Sequence, residues 1–261
     1  MDRPTAPSPA VLASFGAGTA AVPLPGGQGT TWRAGDVVLK PTSFATETSW
    51  RASVLKHVPE DAGFRVARPL PAADGSWSKA GWEAWVHVGG AADPHRPDEV
   101  VRAGEAFHAA IAGLPRPRFL DVRDNPWVQA DRLAWGEREP VPGAPGTDLL
   151  APLLAARRPV SVPAQLVHGD LLGNVLFEPG RPPAVIDWAP YWRPTAWATA
   201  VVVVDAVCWW DAERSLLDLW SHLPQWRQML VRALVFRIAT HTEPLSPTQR
   251  DAYAKACAWI L

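Results

Sequence analysis

Residues 166–188 read Leu-Val-His-Gly-Asp-Leu-Leu-Gly-Asn-Val-Leu-Phe-Glu-Pro-Gly-Arg-Pro-Pro-Ala-Val-Ile-Asp-Trp and form the most patterned stretch of the chain. Val175 to Phe177 and Ala184 to Ile186 are short apolar runs, and the turn-forming residues 178–183 join them. That pattern predicts a short β-hairpin. Asn174 stands just before the first run and Asp187 just after the second. An antiparallel hairpin therefore delivers both to its open end, with Asp170 on the loop that enters it. Two carboxylates and a carboxamide are all hard oxygen donors. They suit Mg²⁺, which keeps several waters and takes one or two carboxylates beside substrate phosphates. Asp also caps turns with no chemistry attached. The hairpin spacing of all three residues favours the site.

The periodicity changes on either side of this stretch. Toward the N-terminus, after a short helix at Pro9 to Ala17, residues 21–24, 30–33 and 36–40 read as strands, with the glycine-rich turn Pro25-Gly26-Gly27-Gln28-Gly29 between the first two. Helical spacing covers Phe44 to Val58, and further strands are expected at 64–70, 76–79 and 82–88. The pair Gly89-Gly90 closes this β-rich part. The expected division is a small lobe over residues 1–88 and a larger, mainly helical lobe over 89–261. The second contains an amphipathic helix at Pro97 to Gly113 and a proline-rich tract over 115–159 with a short helix at 148–156. Three apolar helices follow at 196–212, 225–240 and 247–261.

Composition removes several classes of function. With 25 basic and 26 acidic residues the formal charge is −1, so no basic surplus is present to neutralise nucleic-acid phosphates. The most apolar stretch, Ala196 to Trp210, is too short to span a bilayer and carries Asp205. The first residues lack the pattern of a secretory signal, and two cysteines make no disulfide framework, so a cytoplasmic setting is expected. Lys and Asn are scarce, which gives Lys40 and Asn174 added weight. The seven histidines show no metal spacing. Trp188, Trp192, Trp197, Trp209 and Trp210 cluster in sequence and are expected to include residues of an acceptor pocket.

His168-Gly169-Asp170 with Asn174 and Ile186-Asp187-Trp188 resembles the catalytic loop and metal motif of the aminoglycoside phosphotransferase and choline kinase-like family. The resemblance implies an α+β, protein-kinase-like bilobal fold and an enzyme that moves a phosphoryl group from ATP, or another nucleoside triphosphate, with Mg²⁺ to a hydroxyl of a small molecule. It implies Asp170 as the residue that accepts or orients that hydroxyl, and Asn174 and Asp187 as Mg²⁺ ligands. Val37-Val38-Leu39-Lys40 resembles the strand whose Lys contacts the nucleotide phosphates, and Gly27 and Gly29 stand where the phosphate-covering loop belongs. Glu47 or Glu60 is then the candidate partner of Lys40. Asp205 resembles the helix Asp that hydrogen-bonds the catalytic-loop backbone, and His168 is expected to orient the loop. Three residues separate Asp170 from Asn174 where the family has four, and Gly173 is the residue able to absorb the deletion. The shorter loop keeps a second reading open, a nucleotide-binding regulatory protein without turnover.

Overall fold

A computed structural model describes residues 6–17, 20–25, 29–60 and 63–261. The chain forms two compact units, Met1–Ala91 with Leu176–Asp187, and Ala92–Val175 with Trp188–Leu261. The architecture is α+β. No helix among the described residues is long and apolar enough to cross a membrane.

The first unit opens with α1 (Pro9–Ser14), whose N-cap Ser8 accepts from the Val11 N–H and whose first position is proline, a start signal readable in the sequence. There follow β1 (Val22–Pro23), β2 (Trp32–Ala34), β3 (Val37–Pro41), α2 (Ala45–Leu55), β4 (Arg65–Val66), β5 (Pro69–Leu70) and β6 (Trp82–Val86). One sheet runs in the order β1-β2-β3-β6-β5. Its alternation sorts the side chains. Leu39 and Ala84 are cross-strand partners and sink into a core with Val11, Leu12 and Phe15 of the α1 region. Lys40 is paired across the strands with Glu83, one residue on and therefore on the opposite face. Glu83 is buried there and ties the sheet to α2. It accepts from Thr48 Oγ1, from Arg51 at 2.9 Å and from its own strand's Trp85 Nε1 at 3.0 Å.

Two expected strands change. Residues 64–70 split into β4 and β5, which join different sheets. At the break, Arg68 turns its guanidinium back onto the carbonyls of Leu55 and Val58. Residues 76–79 make no strand beyond a single bridge at Lys79, because Asp74 closes a turn on the Ser76 N–H and pairs with Lys79.

The second unit contains α3 (Pro97–Ile111), preceded by β7 (Ala91–Ala92), then α4 (Phe119–Val122), α5 (Pro126–Trp135), α6 (Thr147–Ala156) and β8 (Gln165–His168). Next in the chain are β9 (Val175–Phe177), β10 (Ala184–Val185), β11 (Pro190–Arg193), α7 (Thr195–Trp209), a 3₁₀ turn at Arg214–Leu217, α8 (Trp226–Ala239) and α9 (Pro247–Ile260). The expected hairpin runs are β9 and β10, which are neighbours in a second sheet. Residues 176–187 lie with the first unit, although the sequence places them within 89–261. Arg65 explains this. It donates to the carbonyls of Pro182 and Gly89 and pairs with Glu178 at 2.6 Å, while β10 runs parallel to β4.

The proline-rich tract holds more order than expected. Asn125 caps α5 by accepting from the Val128 N–H, Pro126 fills the first helical position, and Gly136 ends the helix at φ 77°. Helix α7 is buried from Ala196 to Cys208, which is why it reads as apolar all round rather than amphipathic. It packs on α3, α8 and α9. The rings of Tyr191, Trp197 and Phe236 meet edge-on with centroids 5.3–5.7 Å apart. Such pairs contribute about 0.5–1.5 kcal/mol each beyond the area they bury.

Candidate active site

The loop after β8 is held from behind by two imidazoles. His168 is wholly buried, and its backbone N–H donates to His108 Nε2 at 2.9 Å. The Asp170 N–H in turn donates to His168 Nδ1 at 3.1 Å. Both accepting nitrogens are therefore unprotonated. Burial, reinforced by the neighbouring His168, pushes His108 down to about 3, so it stays neutral at physiological pH. His168 thus anchors the backbone of Asp170, and His108 on α3, which the sequence reading did not single out, anchors that of His168.

Two glycines let the loop pass. A Cβ on Gly169 would stand 2.5 and 2.6 Å from ring carbons of Tyr191, so only glycine fits between β8 and that ring. A Cβ on Gly104, in the middle of α3, would run into Leu171 Cδ1. At the loop's end the Asn174 N–H donates to the Leu171 carbonyl at 2.8 Å and closes a four-residue turn. Gly173 occupies the third position at φ 90°, the left-handed backbone that a turn of type II demands there. The glycine that the sequence offers as the flexible residue between Asp170 and Asn174 is the one that bends.

Asp170 is pinned on two sides. Asn174 Nδ2 donates to its carbonyl at 2.7 Å and to Oδ2 at 3.2 Å. Arg237 of α8 donates to Oδ1 at 2.7 Å. The same guanidinium holds both oxygens of Asp205, through Nε at 2.6 Å and Nη2 at 2.5 Å. This corrects one expectation. Asp205 bonds the side chain of Arg237 rather than the loop backbone, and it reaches the loop through that arginine. The physical reason is burial of the aspartate within α7, where a carboxylate needs a charged partner. Burial pushes Asp205 up to about 6, and Arg237 acts in the opposite direction. Arg237 itself is held well above the usual guanidinium range by the two carboxylates, against the effect of burial. A signal existed in the sequence. An arginine inside the apolar run 234–238 has to meet a carboxylate, and Asp205 lies in another such run.

In the first unit, Lys40 Nζ stands 2.6 Å from Asp187 Oδ2. Glu47 lies 4.0 Å from Arg51, one helical turn on, and Glu60 pairs with Arg68 at 3.1 Å. Neither of the expected glutamates is the partner of Lys40. Asp187 also adopts φ 51°, a left-handed backbone that costs a residue with a Cβ roughly 1–2 kcal/mol. Strain of this kind gathers at functional positions. Gly29 has φ 70° with nothing near its absent Cβ, and Gly27 lies outside the described residues. The tryptophans do not form one pocket. Trp188 and Trp197 are core residues, Trp188 packing on Phe107 at 5.2 Å, whereas Trp209 and Trp210 are exposed.

A model of the phosphotransferase enzyme family matches residues 23–192. The chain belongs to this family. No match was found among curated proteins. Among solved structures it is similar to an aminoglycoside phosphotransferase from Alicyclobacillus acidocaldarius, at 18% identity and a TM-score of 0.58 over 99% of this chain and 94% of that one. It is also similar to choline kinase LicA from Streptococcus pneumoniae, at 13% identity and a TM-score of 0.58 over 92% and 93%. A third similar structure is a thermostable mutant of aminoglycoside phosphotransferase APH(4)-Ia in ternary complex with AMP-PNP and hygromycin B (15% identity, TM-score 0.53, 95% and 94% covered). At these identities the likeness establishes the protein-kinase-like fold.

Proposed function

We propose that the chain is an ATP- and Mg²⁺-dependent phosphotransferase that acts on a hydroxyl of a small molecule. The observation that carries this reading is the Asp170 carboxylate, fixed by Asn174 and Arg237 yet half exposed. A carboxylate so held can accept a hydrogen bond from an incoming hydroxyl in one orientation, which is the kinase-like way of aligning the nucleophile.

The donors fit a hard cation. Asn174 spends its amide hydrogens on Asp170, and its Oδ1 accepts no hydrogen bond among the described residues. Asp187 offers a carboxylate already facing a cation, Lys40. Among the described residues no three His, Cys, Asp or Glu side chains gather as a metal cage, so a cation here would draw its other ligands from water and phosphate oxygens, as Mg²⁺ does. Bound Mg²⁺ would neutralise charge on the triphosphate. Asn174 and Asp187 would hold it, Lys40 would pair with phosphate, and Asp170 would take the hydroxyl proton as the bond to phosphorus forms. The structural likeness to a protein solved with AMP-PNP supports nucleotide binding.

Thermal unfolding with ATP, with and without Mg²⁺, tests the reading. At 100 times its dissociation constant a ligand adds about 2.7 kcal/mol to stability. Stabilisation that needs both ATP and Mg²⁺ is expected, and its absence at millimolar ligand contradicts the proposal.

A further inference from the structure

A cavity of about 310 Å³ opens in the second unit between α4, α5 and β11. One of its walls is Tyr191, the residue whose ring lies against Gly169, next to Asp170. The cavity and the loop that carries the proposed base therefore share a side chain. Its volume is at the small end of ligand pockets, which run from roughly 300 to 1,000 Å³.

The charges around it are unusual for a site that would receive a cation. Arginines 116, 123, 132 and 193 line it, against three carboxylates, a surplus of one positive charge. The carboxylates are already engaged. Arg193 grips Asp131 at 2.9 and 2.7 Å and Glu137 at 2.7 and 3.0 Å, with both guanidinium edges used. Arg116 pairs with Asp121 at 2.7 Å. Arg132 has one weak hydrogen bond, at 3.4 Å to the Asp121 carbonyl, and is partly exposed. Arg123 is buried with its guanidinium 4.9 Å from the centre of the Tyr191 ring, and donates to the Pro190 carbonyl at 2.9 Å. A planar guanidinium clamped on an aromatic face is preorganised for a carboxylate or phosphate.

We infer that the acceptor of this phosphotransferase is a small hydroxylated compound carrying a carboxylate or phosphate, seated in this cavity with its anionic group toward Arg132 and Arg123. The inference rests on the phosphotransfer reading and names its substrate class. In the step, the acceptor's hydroxyl oxygen bonds to the γ-phosphorus of ATP. The bond from that phosphorus to the β,γ-bridging oxygen breaks, and ADP leaves with the electron pair. The hydroxyl proton passes to Asp170 and then to water. A polycationic acceptor would meet the arginine surplus with no carboxylate left to receive it.

The test uses matched polyols on the whole chain: D-gluconate, its neutral counterpart D-glucitol, its cationic counterpart 1-amino-1-deoxy-D-glucitol, and glucitol 6-phosphate, with glycerate and glycerol as a shorter pair. Binding is followed by calorimetry and turnover by ADP release. Carboxylate or phosphate members should be favoured over the neutral ones by about 10–100-fold, the effect of one to two hydrogen bonds to a charged group. Arg132→Gln should remove that preference while leaving neutral polyols and Mg-ATP binding as they were. Arg123→Gln should do the same if it folds, and Arg132→Gln decides if it does not. Preference for the neutral or cationic members, or equal losses for all members in Arg132→Gln, overturns the inference. So does Mg-ATP binding without binding of any anionic member. Anion binding that Arg132→Gln abolishes, in a chain that never binds nucleotide, would keep the cavity's assignment as an anion site and sink the phosphotransfer reading instead.

Discussion

Replacing Arg237 by Met isolates the ion-pair network behind the proposed base. The side chains of Arg237 and Asp205 are only 12% and 7% exposed, so deleting the guanidinium strands a carboxylate inside the protein. Breaking such a pair from one side costs about 3–5 kcal/mol. Replacing both partners, as Arg237→Met with Asp205→Leu, removes the stranded charge, and buried pairs exchanged for apolar groups of similar volume often cost nothing. The pair variant should regain most of the lost stability, while Asp170 still lacks its 2.7 Å partner. The pH dependence has a defined sign. Burial already raises Asp205 to about 6, and loss of Arg237 raises it further. A carboxyl raised on folding penalises the folded state above its folded pKa, and the penalty vanishes below its unfolded value near 3.9. The defect of Arg237→Met, measured against the parent at each pH, should therefore be small and flat below about pH 6, where Asp205 is protonated in both folded proteins, and grow as pH rises above 6. Urea unfolding from pH 4 to 8 measures it. A single variant as stable as the parent, or a pair variant as unstable as the single one, would show that Arg237 does not neutralise Asp205, as would a defect independent of pH.

Gly169→Ala should destabilise by about 1–2 kcal/mol, because overpacking against a caged ring costs about 1–3 kcal/mol and the entropy gained in the unfolded chain returns less than 1. Trimming the ring, as Tyr191→Leu, should make the two changes non-additive in a double-mutant cycle. Gly173→Ala should cost about 1–2 kcal/mol from its φ of 90° alone, since nothing stands near the added Cβ; urea midpoints check this. His108 refuses in the folded state a proton that the unfolded chain accepts. Its contribution to stability should fall by about 1.4 kcal/mol per unit as pH drops below about 6.5, and His108→Gln should remove that slope.

The two runs of the hairpin and the three terminal helices were legible because their signals are local: period, turn residues and caps. The same holds for Gly173, which the sequence marks as the one flexible residue of a short loop. What escaped depends on distant partners. Strand β11 begins with Pro190, which argues against a strand, yet it pairs as an edge with β8, from Pro190 with His168 to Arg193 with Gln165. Helix α5 was readable from Asn125-Pro126 and Gly136, but the surrounding prolines concealed it. The partner of Lys40 is Asp187, far along the chain, rather than a glutamate near it in sequence. Glu83 lacked any local mark, since its role follows from strand register alone. Arg237 reads as one more helix arginine until α7 and α8 are packed together.

If Asp170 acts on the acceptor while Asp187 serves the nucleotide, Mg-ATP affinity and turnover, measured in parallel in two variants, will separate. Asp170→Asn keeps the shape and removes the proton acceptor, so transfer should fall by about 10²–10⁴-fold with Mg-ATP binding nearly unchanged. Asp187→Ala should weaken Mg-ATP binding itself, since it removes the carboxylate proposed to hold the cation. An Asp170→Asn protein that transfers phosphate as fast as its parent, or an Asp187→Ala protein that binds Mg-ATP undiminished, would contradict this division of roles.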